Sequence, residues 1–211
     1  MITRDSHFNG DIYLPQIGAS ASSIVNDNNM LQRYIEQYEP ELLKKGLGRK
    51  LYKEFKEQVD YEGKIKDAAD TKWGNLLNGT SYVKSGITYY WRGLVEDSCK
   101  SITAYYIYYH FVLGKIRSQT TLGSKVVEST NSTIANPTPE LIRAWRKCHE
   151  WFQGGVCNDP VRYNYKGVNV EDYFNSDDNS KDVSLHTFLS DNEVYDDWYF
   201  TPLENKNEWG L

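Results

Sequence analysis

Long apolar runs are missing from this chain. No stretch approaches the roughly 20 consecutive apolar residues that a membrane-spanning helix needs, and mean hydropathy is -0.67. A helical membrane protein is excluded, and no membrane partner is expected. Cysteine is scarce: Cys99, Cys148 and Cys157 are the only three. An odd count without a secretory signal argues against a disulfide framework and for free thiols in a reducing compartment. The N-terminal MITRDSHFNG has no apolar h-region, so no secretion is expected. Nucleotide-binding signatures are absent, with neither GxxxxGK[ST] nor a GxGxxG after a strand. GxSxG and HExxH are absent too.

Metal ligands are equally thin. His7, His110, His149 and His186 are scattered without the spacing of a zinc site. Cys148, His149 and Cys157 lack a fourth ligand. Asp177, Asn179 and Asp182 imitate a calcium loop, but the twelfth loop position is Phe188 rather than a bidentate glutamate. The expectation is no catalytic residue, no cofactor and no metal.

What the chain does have is tyrosine, 17 residues of it, and six tryptophans in 211 residues. Tyrosine combines apolar bulk with a polar tip and suits surfaces that are partly wet. Net charge is -5 and the pI about 5.4, which disfavours a broad nucleic-acid face. The charge is uneven. Residues 1–155 carry 20 basic and 17 acidic side chains, and residues 156–211 carry 4 and 12. That shift divides the chain into an N-terminal arm at 1–23, a helical core at 24–155 and an acidic C-terminal extension at 156–211.

Periodicity predicts a mainly α fold. Asn26 and Asp27 offer N-caps ahead of Met30, Leu31, Tyr34, Ile35 and Tyr38. Pro40 is expected to stop that helix. Leu47, Leu51, Phe55 and Val59 mark one face of the next. Asp70 to Gly79 predicts a short helix with Trp73, Leu76 and Leu77 facing inward. Residues 80–90 read as a loop or a hairpin around Lys84-Ser85-Gly86. The strongest pattern is Val95, Cys99, Ile102, Tyr106, Tyr109, Leu113 and Ile116, which predicts a long central helix over about 92–117. At 1.5 Å per residue it would span roughly 39 Å. Glu96 and Asp97 would then sit at its positive end. Thr120 to Glu128 predicts a β-hairpin or an extended arm. Leu141, Ile142, Trp145, Cys148 and Phe152 mark a last clear helix near 139–153, closed by Gly154-Gly155. Leu185, Phe188 and Leu189 suit one helical turn. The fold expected is a compact helical bundle around one long helix, with a small hairpin or arm and an irregular acidic end.

Two groups of residues are candidates for contact. Lys44, Lys45, Arg49, Lys50, Lys53 and Lys56 are the densest basic run, and on one helix they would form one polar face. Lys44, Lys45, Arg49 and Lys53 are singled out as an interface. The acidic region of a neighbouring copy is one possible partner. Tyr195, Trp198, Tyr199 and Phe200 are aromatic anchors set among acids, with packing onto their own core as the alternative.

The run from Leu31 to Phe55, LQRYIEQYEPELLKKGLGRKLYKEF, is followed by KWGNLLNG at 72–79, WRGL at 91–94 and SITAYYIYY at 101–109. This order of core and turn residues resembles small helical proteins from the structural gene clusters of tailed phages and prophages of Bacteroidetes, including crAss-like phages. These are similar to head–tail connector, adaptor or neck-ring proteins. The resemblance covers about 31–152 and leaves the arm and acidic end uncovered. It implies a virion protein without enzymatic activity, made in the bacterial cytoplasm and placed in the neck. It implies a ring of copies, typically twelve, beneath the portal protein. The ring would continue the channel through which DNA passes and dock the next neck or tail protein. A small binding module, or a metal-dependent enzyme using the acidic region, is the rival expectation.

Overall fold

A computed structural model describes residues 1–14, 22–120, 123–126, 138–154, 173–177 and 180–204. The described chain is dominated by helices, with a small sheet beside them. After two single 3-10 turns, Asp5–His7 and Gly10–Ile12, come α1 (Ser22–Gln58) and α2 (Thr71–Asn78). The hairpin β1 (Thr80–Lys84) and β2 (Ile87–Trp91) leads to α3 (Ile102–Ile116). A second hairpin, β3 (Arg117–Thr120) and β4 (Gly123–Val126), precedes α4 (Thr138–Gln153). β5 (Tyr173–Asp177), β6 (Ser180–Val183) and α5 (Leu185–Asp191) close the order.

The central helix is real but shorter than the pattern predicts. It begins at Ile102, so its 15 residues span about 22 Å. The heptad-like spacing at Val95 and Cys99 belongs to a tight loop instead. Gly93 and Cys99 take positive φ angles of 89° and 58°, and Val95 bridges back to Ser101. A helix cannot pass through either residue. Glu96 and Asp97 therefore lie in this loop, not in the first helical turn. Every residue from Ser101 to Tyr109 is buried. A helix apolar nearly all round needs neighbours on several sides, and α1 and α4 supply them.

Pro40 does not stop α1. The helix runs through it unbroken until Gly48, where φ is 77° and ψ 169°. Pro40 costs one backbone hydrogen bond, to the carbonyl of Glu36. Gly48 costs the helical path itself, because no side-chain-bearing residue adopts that conformation readily. Two arms of α1 thus meet at an angle. Leu31, Ile35, Leu42, Leu43 and Leu47 bury one arm, and Leu51 and Phe55 the other.

The sheet is ordered β1-β2-β6-β5, with β2 and β6 parallel and the other pairs antiparallel. It brings the acidic end of the chain onto the body. Val183, Leu185, Phe188, Leu189, Tyr195 and Leu203 belong to the same buried cluster as the helices. Phe188 stacks on Trp91 at 5.3 Å between ring centroids. The expectation of an irregular C-terminal region is corrected over residues 180–191, where β6 and α5 form; residues 192–204 are irregular but packed. The N-terminus is also held. Ile2, Phe8 and Ile12 are buried, and the buried Glu39 carboxylate accepts the backbone N–H of Ile2 at 3.1 Å and of Thr3 at 2.7 Å. Ile12 sits in a 3-10 turn.

Candidate functional site

An open concavity lies in the crook of α1, on either side of Gly48. Its basic half is an open groove of about 690 Å³, lined by Lys44, Lys45, Arg49, Tyr52, Lys56 and Tyr199 among others. Its apolar half, of about 430 Å³, is lined by Met1, Ile2, Leu43, Phe55, Val59 and Tyr61 among others. Glu36, Pro40, Tyr52 and Lys56 border both, so the halves adjoin.

The kink explains how the basic run is distributed. On one straight helix, the six cations would share a face. The break at Gly48 instead puts Lys44 and Lys45 on one arm and Arg49, Lys50, Lys53 and Lys56 on the other. Lys44, Lys45, Arg49 and Lys56 line the groove, whereas Lys53 is exposed outside it. Lys50 forms an ion pair with Asp197. Lys45 is tied to Glu41 at 2.9 Å and donates to the Tyr106 hydroxyl at 3.3 Å. Tyr106 in turn donates to Glu41 at 2.8 Å. Burial alone would raise the pKa of Glu41. The hydrogen bonds from Lys45 and Tyr106 outweigh it and hold that carboxyl below its ordinary value. Lys44 sits over the Tyr52 ring, 5.4 Å from its centroid. Among the described residues, Lys44, Arg49, Lys53 and Lys56 form no ion pair.

The four aromatic candidates separate sharply. Tyr195 is only 2% exposed, packs on Phe188 and donates to the Lys72 carbonyl at 2.6 Å. It is a core residue. Trp198 and Phe200 are half-buried around His186, and Phe200 also packs on Phe152. Tyr199 alone of the four is open to solvent, at 72%, and it borders the groove. Its backbone N–H donates to the Leu47 carbonyl at 3.3 Å, and Thr201 N–H to the Lys45 carbonyl at 2.7 Å. The C-terminal segment thus runs along α1 at the kink, joining the basic run to an exposed tyrosine.

Among the described residues, three acids of the C-terminal region form ion pairs with the body of the chain. Asp182 pairs with Arg92 at 2.6 Å, Asp191 with Lys84 at 2.5 Å, and Asp197 with Lys50. Of the calcium-like set, Asp182 is thus in an ion pair, and Asn179 lies outside the described residues. Cys148 is fully buried, and burial pushes its thiol well above the ordinary range. Cys157 lies outside the described residues. Among the described residues no group of three or more His, Cys, Asp or Glu side chains is placed to hold a metal ion. No described helix is long and apolar enough to cross a membrane.

Sequence reasoning missed Tyr52, Pro40 and Tyr61 as groove residues. Tyr52 had a local signal, being one position off the buried row Leu47, Leu51, Phe55. Tyr61, 92% exposed, had none, because its place depends on the turn that brings it beside Met1. A second, smaller cleft of about 330 Å³ between Arg92, Glu96, Lys100, Lys147 and Glu150 was also unforeseen. It joins loops and helices far apart in sequence. Burial raises the pKa of Glu150, against the pull of Arg92, Lys147 and Arg146.

No family model, curated protein or solved structure matches the chain.

Proposed function

We propose that this chain is a structural subunit that works by docking other proteins, and that its place is the head–tail connector ring of a tailed phage or prophage particle. One observation carries the reading. The segment with the family-like order, Leu31 to Phe55, builds the two arms of α1 and the open groove between them. Cations and apolar side chains side by side on an open surface suit protein contact, where charge fixes register and apolar anchors supply affinity. In a head-to-tail ring, each copy presents two different surfaces, and the crook of α1 is suited to be one of them. The portal protein, a further neck or tail protein and other copies of the chain are the partners in this reading. DNA is only a passenger in the channel.

The test is quantitative mass spectrometry of purified particles from the host that carries this gene. The reading predicts the chain at a ring-like copy number relative to the portal. Its absence from particles, together with a monomer that never binds portal rings in sedimentation, would overturn it.

A further inference from the structure

We infer that the crook of α1 binds an acidic segment of a partner protein, one that carries an aliphatic or aromatic anchor beside its carboxylates. The inference rests on the docking reading and specifies its chemistry.

The basic half of the groove has an excess of positive charge, while the apolar half carries Glu39, held by the Ile2 and Thr3 N–H groups, and Asp60, which accepts the Lys64 N–H. Lys44, Lys45, Arg49 and Lys56 line the basic half, against Glu36 and Glu41. Glu41 is occupied by Lys45 and Tyr106, and Glu36 accepts from Gln32. Lys44, Arg49 and Lys56 remain without ion pairs among the described residues. An arginine fork matches a carboxylate bidentately, and Lys44 on the face of Tyr52 is a cation already oriented toward the site.

The apolar half decides against the other anionic polymer. A nucleic acid gains affinity from many phosphate contacts along its length. Here the cations end at Lys56, and Leu43, Phe55, Val59 and Tyr61 follow. A peptide with carboxylates at one end and an apolar side chain at the other uses both halves.

The experiment is fluorescence anisotropy with the full chain. The probe is a short synthetic peptide in which Glu and Asp residues flank a Leu-Trp pair. Comparison probes replace the acids with Lys, replace Leu-Trp with Ser-Ser, or are a short duplex DNA. The acidic, anchored peptide is expected to bind best, and more weakly as salt rises. The double variant Lys44→Glu, Arg49→Glu should weaken it about tenfold or more, and Tyr61→Ser should weaken it separately. Lys53→Glu, outside the groove, should leave affinity within about twofold. All these side chains are surface groups, and circular dichroism verifies that each variant is folded. Equal binding of all peptides, a preference for the duplex, or no effect of the groove variants would overturn the inference. So would self-association abolished by the same variants, since the occupant would then be a second copy. Absence from particles with peptide binding intact would remove the neck placement and leave the groove. Presence in particles without peptide binding would do the reverse.

Discussion

Tyr199 closes over Gly48 so tightly that a Cβ on the glycine would lie 2.8 Å from the Tyr199 backbone nitrogen. That contact couples the kink of α1 to the C-terminal segment. The positive φ of Gly48 turns the second arm away, and the space left beside the turn is taken by backbone from residues 199–201. The groove therefore exists because one glycine breaks a helix and a distant stretch of chain locks the break.

Gly48→Ala should be costly on both counts. The new side chain is strained at this φ and collides with backbone that cannot rotate away. The expected loss is on the order of 2 kcal/mol, read as a lower midpoint in urea unfolding. An unchanged midpoint would mean that the kink relaxes and that Tyr199 is not its lock.

Tyr195 and Tyr199 should behave oppositely despite sharing one aromatic cluster in sequence. Tyr195→Phe deletes the hydroxyl that donates to the Lys72 carbonyl and should cost about 1 kcal/mol. Tyr199→Ala removes an exposed ring and should stay within about 0.5 kcal/mol. Thermal unfolding of the pair checks the assignment of one to the core and the other to the surface.

Glu39 fastens the N-terminus. The residue is 4% exposed, and its carboxylate accepts both the Ile2 and Thr3 N–H groups. Glu39→Ala leaves those donors buried and unmatched, a loss of about 1–3 kcal/mol. Limited proteolysis should then cut within residues 1–14 first. Cleavage there at the wild-type rate would show that the apolar contacts of Ile2 and Phe8 suffice.

Acid should weaken the fold through two histidines. Burial lowers the pKa of His7 to about 4, with the Arg4 charge adding to it, and its Nδ1 accepts the Arg4 N–H. Burial likewise lowers His149 to about 4, against a smaller upward pull from the Gly154 backbone. Its Nε2 meets Gln153 at 2.9 Å, and Gln153 accepts the Leu203 N–H. Both rings are neutral when folded and take up a proton more readily when unfolded. Their contribution is present above about pH 6.5 and is lost as pH falls from there to about 4. Each contributes on the order of 2 kcal/mol. Urea midpoints measured between pH 7 and pH 4 should fall in this window, and His149→Gln should flatten the slope. A flat profile in the wild-type chain would contradict the burial of these rings.

Much of the helical frame was legible in the sequence. Asp70, expected as the first helical residue, is the N-cap, while Gly79 as stop, and Trp73, Leu76 and Leu77 as the inward face of α2, follow from local chemistry and are observed. So does the inward row Leu47, Leu51, Phe55. What was not legible depends on partners distant in the chain. Val95 and Cys99 keep the helical spacing while Gly93 and Cys99 take conformations that no helix allows. Pro40 is tolerated because packing on both sides outweighs one lost hydrogen bond. The sheet was hidden because β2 pairs with β6, a parallel pairing that no local pattern announces. For the groove, the cations and Tyr199 were visible singly. Their meeting required Gly48 and the backbone bond from Tyr199 to Leu47.

The central claim is tested most directly by cryo-electron microscopy of the neck in purified particles. The account predicts a ring of copies between portal and tail, with the crook of α1 filled by an acidic, apolar-anchored segment of an adjoining protein. A neck reconstructed to side-chain detail with no density for this fold, or a ring whose α1 crook faces empty solvent, would contradict it.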